Sequence, residues 1–128
     1  MEQRRHSSTL LRWTSFFQGT YYILTGLWSL VSISTFQMVT GPKTDIWLVK
    51  TVGLLLIVSG LVFLFSAVRR RFLGETILLA IGNAGALALI EVIYVSVGRI
   101  SLVYLFDAVM EVLIAGIWLM EAWKLRKD

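Results

Sequence analysis

Long apolar segments separated by short polar connections dominate the chain. Four segments reach the length of about 20 mostly apolar residues that a helix needs to cross a hydrocarbon layer about 30 Å thick. The predicted spans are residues 13–35, 46–68, 72–97 and 100–123. Because the connections are short, neighbouring helices are expected to run antiparallel. The pattern therefore predicts an all-α protein, an up-down-up-down four-helix membrane bundle in which residues 1–128 form one domain.

The composition supports a protein surrounded by lipid. Hydrophobic residues make up 57% of the 128 residues and charged residues 16%, which is too little polar surface to cover a soluble domain of this size. The absence of cysteine excludes disulfides, thiolate metal sites and CxxC redox chemistry. The single histidine, His6, lies in a charged N-terminal segment and lacks a second histidine with which to form a site. We therefore expect no metal and no cofactor.

Basic residues are concentrated on one side of the predicted bundle. Of the 12 lysines and arginines, Lys43 and Arg99 map to the other side, and Lys50 lies inside a span. The remaining residues are Arg4, Arg5, Arg12, Arg69, Arg70, Arg71, Lys124, Arg126 and Lys127. Since cytoplasmic segments carry an excess of Lys and Arg, both termini are predicted to be cytoplasmic. Positive charge at span ends also argues against nucleic-acid binding.

Small residues recur along the predicted spans. Gly19 and Gly26 in the first span, and Gly53 and Gly60 in the second, have heptad spacing. Helices in lipid associate by close packing through small residues, so these glycines are expected to form packing seams. The third span offers a further set of small residues for close approach, namely Gly82, Ala84, Gly85, Ala86 and Ala88.

Polar residues follow one face of the first span. They are Gln18, Tyr22, Thr25, Ser29 and Ser32, at positions i, i+4, i+7, i+11 and i+14, a spacing that places them on one side of a helix. Two interpretations stay open. The hydroxyl groups either bond to their own helix backbone and act as small packing residues, or they line a polar interior.

Ionisable residues far from the span ends are the strongest candidates for a functional site, because charge is costly in hydrocarbon. The candidates are Lys50, Glu91, Asp107 and Glu111, with Asn83 and Gln18 as uncharged companions. Asp107 and Glu111 are four residues apart, so both carboxyl groups project from one helix face. The helix directions place Lys50, Glu91 and Asp107 in the outer half of the membrane, with Glu111 and Asn83 deeper. These residues are expected to form an acidic ligand or proton site.

A structural role for the same charges is the alternative. Lys50 could form a buried ion pair with one acid and fix the register of the helices, while the other acids bond to Ser, Thr or Tyr. Buried ion pairs are weak evidence for stability, and one lysine cannot neutralise three carboxylates. Both interpretations stay open at the level of sequence.

Four short-linked spans with glycine-dotted helices, such as Thr25-Gly26-Leu27, resemble the DoxX-like group of small bacterial inner-membrane proteins. That resemblance implies a four-helix bundle in the inner (cell) membrane, and it assigns no site residue. Small multidrug exporters are similar in span count. They carry a membrane-embedded acid in the first span, where this chain has Gln18.

The favoured function is binding or transport of a small solute, partly apolar or cationic, with protons exchanged at Asp107 and Glu111 if transport is proton-coupled. The alternative is an accessory subunit whose buried charges pair with a membrane partner or with a second copy of the chain. Paired acids permit general acid–base chemistry, but the sequence contains neither a nucleophile–base pair nor a metal cluster. For that reason a non-enzymatic role is favoured over an enzymatic one. The expected partners are membrane lipids, and nucleic acid is not expected.

Overall fold

Helices account for nearly all of the backbone in the computed structural model, which describes residues 2–127 and the side chains of residues 9–124. The helices are α1 (Glu2–Val31), α2 (Ile33–Thr40), α3 (Ile46–Arg69), α4 (Gly74–Ser96) and α5 (Val103–Lys127). No strand occurs between residues 2 and 127. The all-α prediction is therefore confirmed.

Three of the helices are long and apolar enough to cross a membrane. They are α3, α4 and the segment Val103–Lys124 of α5, and they coincide with the second, third and fourth predicted spans. In the first part of the described chain, Thr9–Val31 and Ile33–Thr40 meet the same requirement only when taken together, and they are bent by 113° relative to each other. The described chain thus has three candidate spans, or four if the bent pair counts as one.

The first predicted span, residues 13–35, is interrupted at Ser32. Its backbone leaves the helical region, with φ −140° and ψ 74°, so α1 ends at Val31 and the chain turns into α2. The Thr35 hydroxyl lies 2.6 Å from Ser32 Oγ, and the Trp28 indole donates to Thr35 Oγ1 at 3.0 Å. Hydroxyl side chains compete with helical hydrogen bonds in this way. The polar link expected over residues 37–45 is therefore partly helical.

Close packing of α1 against α3 depends on the four heptad-spaced glycines. A methyl carbon at Gly19 would lie 2.7 Å from the Gly60 carbonyl oxygen, and one at Gly60 would lie 2.6 Å from the Gly19 carbonyl oxygen. Gly26 and Gly53 make the equivalent approach farther along the same two helices. The predicted seams of the first two spans are confirmed, and they pack against each other.

Besides the contact between α1 and α3, the contact between α4 and α5 is extensive, and α1 also packs on α5. The buried small residues of α4 are Ala80, Ala84 and Ala88, at four-residue spacing. Gly82 and Gly85, also expected to admit a neighbour, have no such contact, because a methyl carbon at either would meet no atom within 4 Å. Although consecutive in sequence, α3 and α4 share little contact. Both α3 and α4 contribute side chains to the cavity described next.

Candidate functional site

A cavity of about 470 Å³ lies among the helices, and every helix contributes to its wall. This volume is in the range of about 300–1,000 Å³ that small-molecule sites occupy. The wall is mainly apolar, with side chains such as Trp28, Phe36, Val52, Leu56 and Phe106. The short helix α2 contributes Phe36, Val39 and Thr40, because the bend at Ser32 turns it away from the direction of α1. The bend missed by the sequence pattern therefore helps to form the cavity.

Two carboxyl groups, from Glu91 of α4 and Asp107 of α5, border the cavity and lie close enough to interact directly. Two carboxylates have only acceptors, so direct contact between the groups is favourable only when one of them carries a proton. The Tyr21 hydroxyl donates to Asp107 Oδ1. Glu91 is 6% exposed, and its Oε1 has no hydrogen-bond partner within the described side chains. A buried acceptor is therefore left unsatisfied in the wall of the cavity.

Glu111 lies next to this pair in a buried hydrogen-bond network. The Tyr22 hydroxyl donates to Glu111 Oε2 at 2.7 Å and accepts from Gln18 Nε2 at 3.2 Å. The Gln18 amide also donates to the Ala80 carbonyl oxygen at 3.2 Å, and its Oε1 accepts from the Trp118 indole at 2.7 Å. The network joins α1, α4 and α5. Glu111 is 1% exposed and does not line the cavity. Its role in the site is to join α5 to α1 next to the cavity.

The polar stripe of α1 divides into parts with different surroundings. Gln18 and Tyr22 belong to the buried network, although Tyr22 also reaches the cavity wall. Thr25 and Ser29 line the cavity, yet their hydroxyl groups donate to backbone carbonyl oxygens of their own helix at 2.8 Å and 2.9 Å. Thr25 and Ser29 thus face a mainly apolar cavity while their hydroxyl groups bond to the backbone of their own helix.

Asn83 and Lys50 are not brought to the acids. Asn83 Nδ2 donates to Ser59 Oγ at 3.0 Å and so links α4 to α3. Lys50 is half-buried but does not line the cavity, which α3 borders with Val49 and Val52 among others. Among the described side chains, Lys50 has neither an ion pair nor a hydrogen bond, and the ion pair found there joins Lys124 to Glu121 at 3.8 Å. The buried bridge between Lys50 and an acid is not formed.

Two groups that sequence reasoning did not select also belong to the site. Tyr21 bonds Asp107 but lies outside the i, i+4, i+7 stripe, since the neighbouring Tyr22 occupies the stripe position. Lys43 lines the cavity, with its Nζ 4.9 Å from the centroid of the Tyr104 ring and donating to the Thr40 carbonyl oxygen at 3.1 Å. The sequence feature that could have pointed to Lys43 as a cavity residue is its position directly after Gly41-Pro42. That dipeptide by itself indicates only a turn.

Comparisons of the chain with protein-family models, with curated proteins and with solved structures give no match. No relative therefore assigns a role to the acids or to the cavity. The relation to DoxX-like proteins stays a prediction from architecture. The function has to be argued from the site itself.

Proposed function

We propose that the protein crosses the inner (cell) membrane four times, with both termini in the cytoplasm, and binds or transports a small solute in the cavity beside Glu91 and Asp107. The first crossing is α1, and α2 lies near the outer surface. The excess of Lys and Arg at the start of α1, in the link from α3 to α4 and at the end of α5 supports this orientation. The cavity then lies in the outer half of the protein.

The observation that carries the proposal is a mainly apolar cavity bordered by two neighbouring carboxyl groups, the buried Glu91 and the half-buried Asp107. Small-molecule sites combine mostly hydrophobic walls with a few polar groups that orient the ligand. Glu91 Oε1 is buried without a partner within the described residues, and a buried acceptor in that state is unfavourable. A ligand with an apolar body and a cationic or hydroxyl group would satisfy this oxygen. Glu111, Tyr22 and Gln18 hold the neighbouring helices in register.

Retention of a ligand through gentle purification tests this function. Three forms are compared by mass spectrometry of the small molecules they retain: wild type, the double variant Glu91→Gln with Asp107→Asn, and the control Glu75→Gln. Glu75 is an exposed acid in the first turn of α4, away from the cavity. A small molecule retained by wild type and by the control but lost from the double variant is the expected result. If all three forms retain bulk lipid and no other small molecule, tight binding is contradicted.

The orientation is tested separately, because the chain contains no cysteine. Thr44→Cys and Arg71→Cys each place one thiol at an exposed position, in the link after α2 and in the link between α3 and α4. A membrane-impermeant maleimide added to intact cells is expected to label the first variant. The second should be labelled only after the membrane is permeabilised. The reverse pattern would contradict cytoplasmic termini.

An accessory subunit of a larger membrane complex is the second candidate, and Lys50 favours it. This lysine is half-buried with no partner in the described part of the chain, and ionisable groups inside a membrane usually pair. A carboxylate on a neighbouring membrane protein would supply that partner. A membrane protein that co-purifies in fixed stoichiometry with wild type and with Glu75→Gln, but not with Lys50→Met, is the result expected for this role.

A further inference from the structure

We infer that the Glu91–Asp107 pair exchanges its shared proton for the ammonium group of an apolar amine, so that the cavity takes organic cations and releases a proton for each one bound. This inference rests on the proposed function and adds the class of ligand and the ion that leaves. It follows from the charge of the pair, from the groups around it and from the shape of the cavity.

Among the side chains of residues 9–124, no cation contacts the carboxyl pair. The titratable groups that surround the pair are Tyr21 and Tyr22 of α1, Glu111 and Tyr104 of α5, and Lys43 after α2. The cavity-lining residues of α3 are all apolar or glycine. Lys43 lies over the Tyr104 ring and donates to Thr40, and no ion pair joins it to either acid. The shared proton is therefore the positive charge that the pair holds.

Exchange of cations leaves the charge of the site unchanged. Two carboxyl groups that share a proton have a net charge of about −1, and two carboxylates with one bound ammonium group also have a net charge of about −1. An ammonium group that entered without loss of the proton would change the buried charge, and an anion would add to the negative charge. Changes in buried charge are costly. Replacement of one cation by another avoids that cost.

The exchange has two halves, entry of the amine and loss of the proton. The ligand enters as a protonated amine, and its N–H groups donate to Glu91 Oε1, which now lacks a donor, and to Asp107. The O–H bond of the protonated carboxyl group breaks, both of its electrons stay on the carboxylate, and the proton passes to water in the cavity. Tyr21 continues to donate to Asp107. The aromatic wall formed by Trp28, Tyr104 and Phe106 suits a cation with an apolar tail.

Titration calorimetry on the full chain in lipid nanodiscs tests this inference. The probes are n-octylamine, n-octanol and octanoate, which share one apolar tail and differ in the charge of the head group, and empty nanodiscs supply the background. Each titration at neutral pH is repeated in buffers of different ionisation enthalpy, so that the heat reports the number of protons released. Octylamine is expected to bind saturably with release of about one proton per molecule bound. Octanol is expected to bind about tenfold more weakly and without proton release.

Variants separate the site from general partitioning into lipid. Glu91→Gln is expected to weaken octylamine binding by about tenfold to a hundredfold and to abolish proton release. The control Glu75→Gln should behave as wild type. Asp107→Asn, at the other member of the pair, is expected to give the same result as Glu91→Gln. Thermal unfolding of each variant shows whether a loss of octylamine binding is due to misfolding. If one of the two variants is misfolded, the binding result of the other one is used.

The outcomes distinguish this inference from the proposed function. Octylamine binding without proton release would overturn the exchange and leave solute binding intact. Octanol bound as tightly as octylamine would overturn the amine class and favour a hydroxyl-bearing ligand at the same site. Failure of all three probes to bind would overturn both the inference and the proposed function.

Discussion

Tyr22 and Glu111, 89 residues apart in the sequence, are joined by a hydrogen bond of 2.7 Å between the tyrosine hydroxyl and Glu111 Oε2. Both side chains are 1% exposed. The bond connects α1 to α5, which are not consecutive in the chain. Glu111 lies one helical turn from Asp107 on α5. The Tyr22–Glu111 hydrogen bond therefore fixes α1 against the helix that carries the cavity acid Asp107.

Removal of the Tyr22 hydroxyl should destabilise the protein. Tyr22→Phe leaves a buried carboxyl oxygen without its donor, and an unsatisfied buried polar group costs about 1–3 kcal/mol. We expect a lower thermal unfolding midpoint in detergent micelles. The matched control is Tyr94→Phe, at an exposed tyrosine of α4 (43% exposed), which should leave the midpoint unchanged. Equal stability of both variants would show that Glu111 does not depend on Tyr22.

Most of the helical framework could be predicted from the sequence. Apolar length alone placed α3 over residues 46–68, and the helix is Ile46–Arg69. The heptad glycines predicted the seam between α1 and α3, because only small residues allow such a close approach. The break at Ser32 could not be predicted in this way. Apolar residues continue beyond it, and the bend depends on tertiary contacts such as the Trp28–Phe36 ring pair, with centroids 5.2 Å apart.

The positions of the candidate residues along their helices can be counted from the sequence, whereas the side of the helix that faces the cavity cannot. Counting residues from the helix ends placed Glu91 and Asp107 at the same level, and they are in contact. The same count placed Lys50 near them, yet Lys50 lies about 100° around α3 from the cavity-lining Val49. Because α3 is apolar on all sides, hydropathy does not indicate which face looks inward. Gly53 and Gly60 mark that face only once the partner helix is known.

The glycine seam provides a stability test with an internal control. Gly60→Ala adds a methyl group that would lie 2.6 Å from the Gly19 carbonyl oxygen, so α1 and α3 must separate. Overpacking of this kind typically costs about 1–3 kcal/mol. Gly85→Ala adds the same group to α4 where no atom lies within 4 Å, and it should be neutral or slightly stabilising because alanine favours helix. The readout is the thermal unfolding midpoint, and equal loss in both variants would contradict the seam.

The attachment of α2 to α1 can be tested by hydrogen exchange. Thr35→Val removes the acceptor of the Trp28 indole and the hydroxyl contact with Ser32. Loss of a hydrogen bond worth about 1 kcal/mol should speed amide exchange in α2 by several-fold. Thr51→Val is the control, since the Thr51 hydroxyl bonds only its own helix, at the Trp47 carbonyl oxygen. Exchange in α2 that is unchanged by Thr35→Val would indicate that apolar contacts alone hold this helix.

The proton that we propose for the carboxyl pair can be tested directly by infrared spectroscopy. Direct interaction between the Glu91 and Asp107 carboxyl groups is favourable when one of them is protonated, and a protonated carboxyl group has a carbonyl stretch separate from the carboxylate bands. In Glu91→Gln the new amide can donate to Asp107 without a shared proton, so this band should lose intensity. Asp107→Asn should have the same effect, whereas Glu75→Gln should not. A band that persists in full in both site variants would locate the proton elsewhere, with Glu111 as the remaining buried acid of this cluster, and would remove the basis for exchange at the pair.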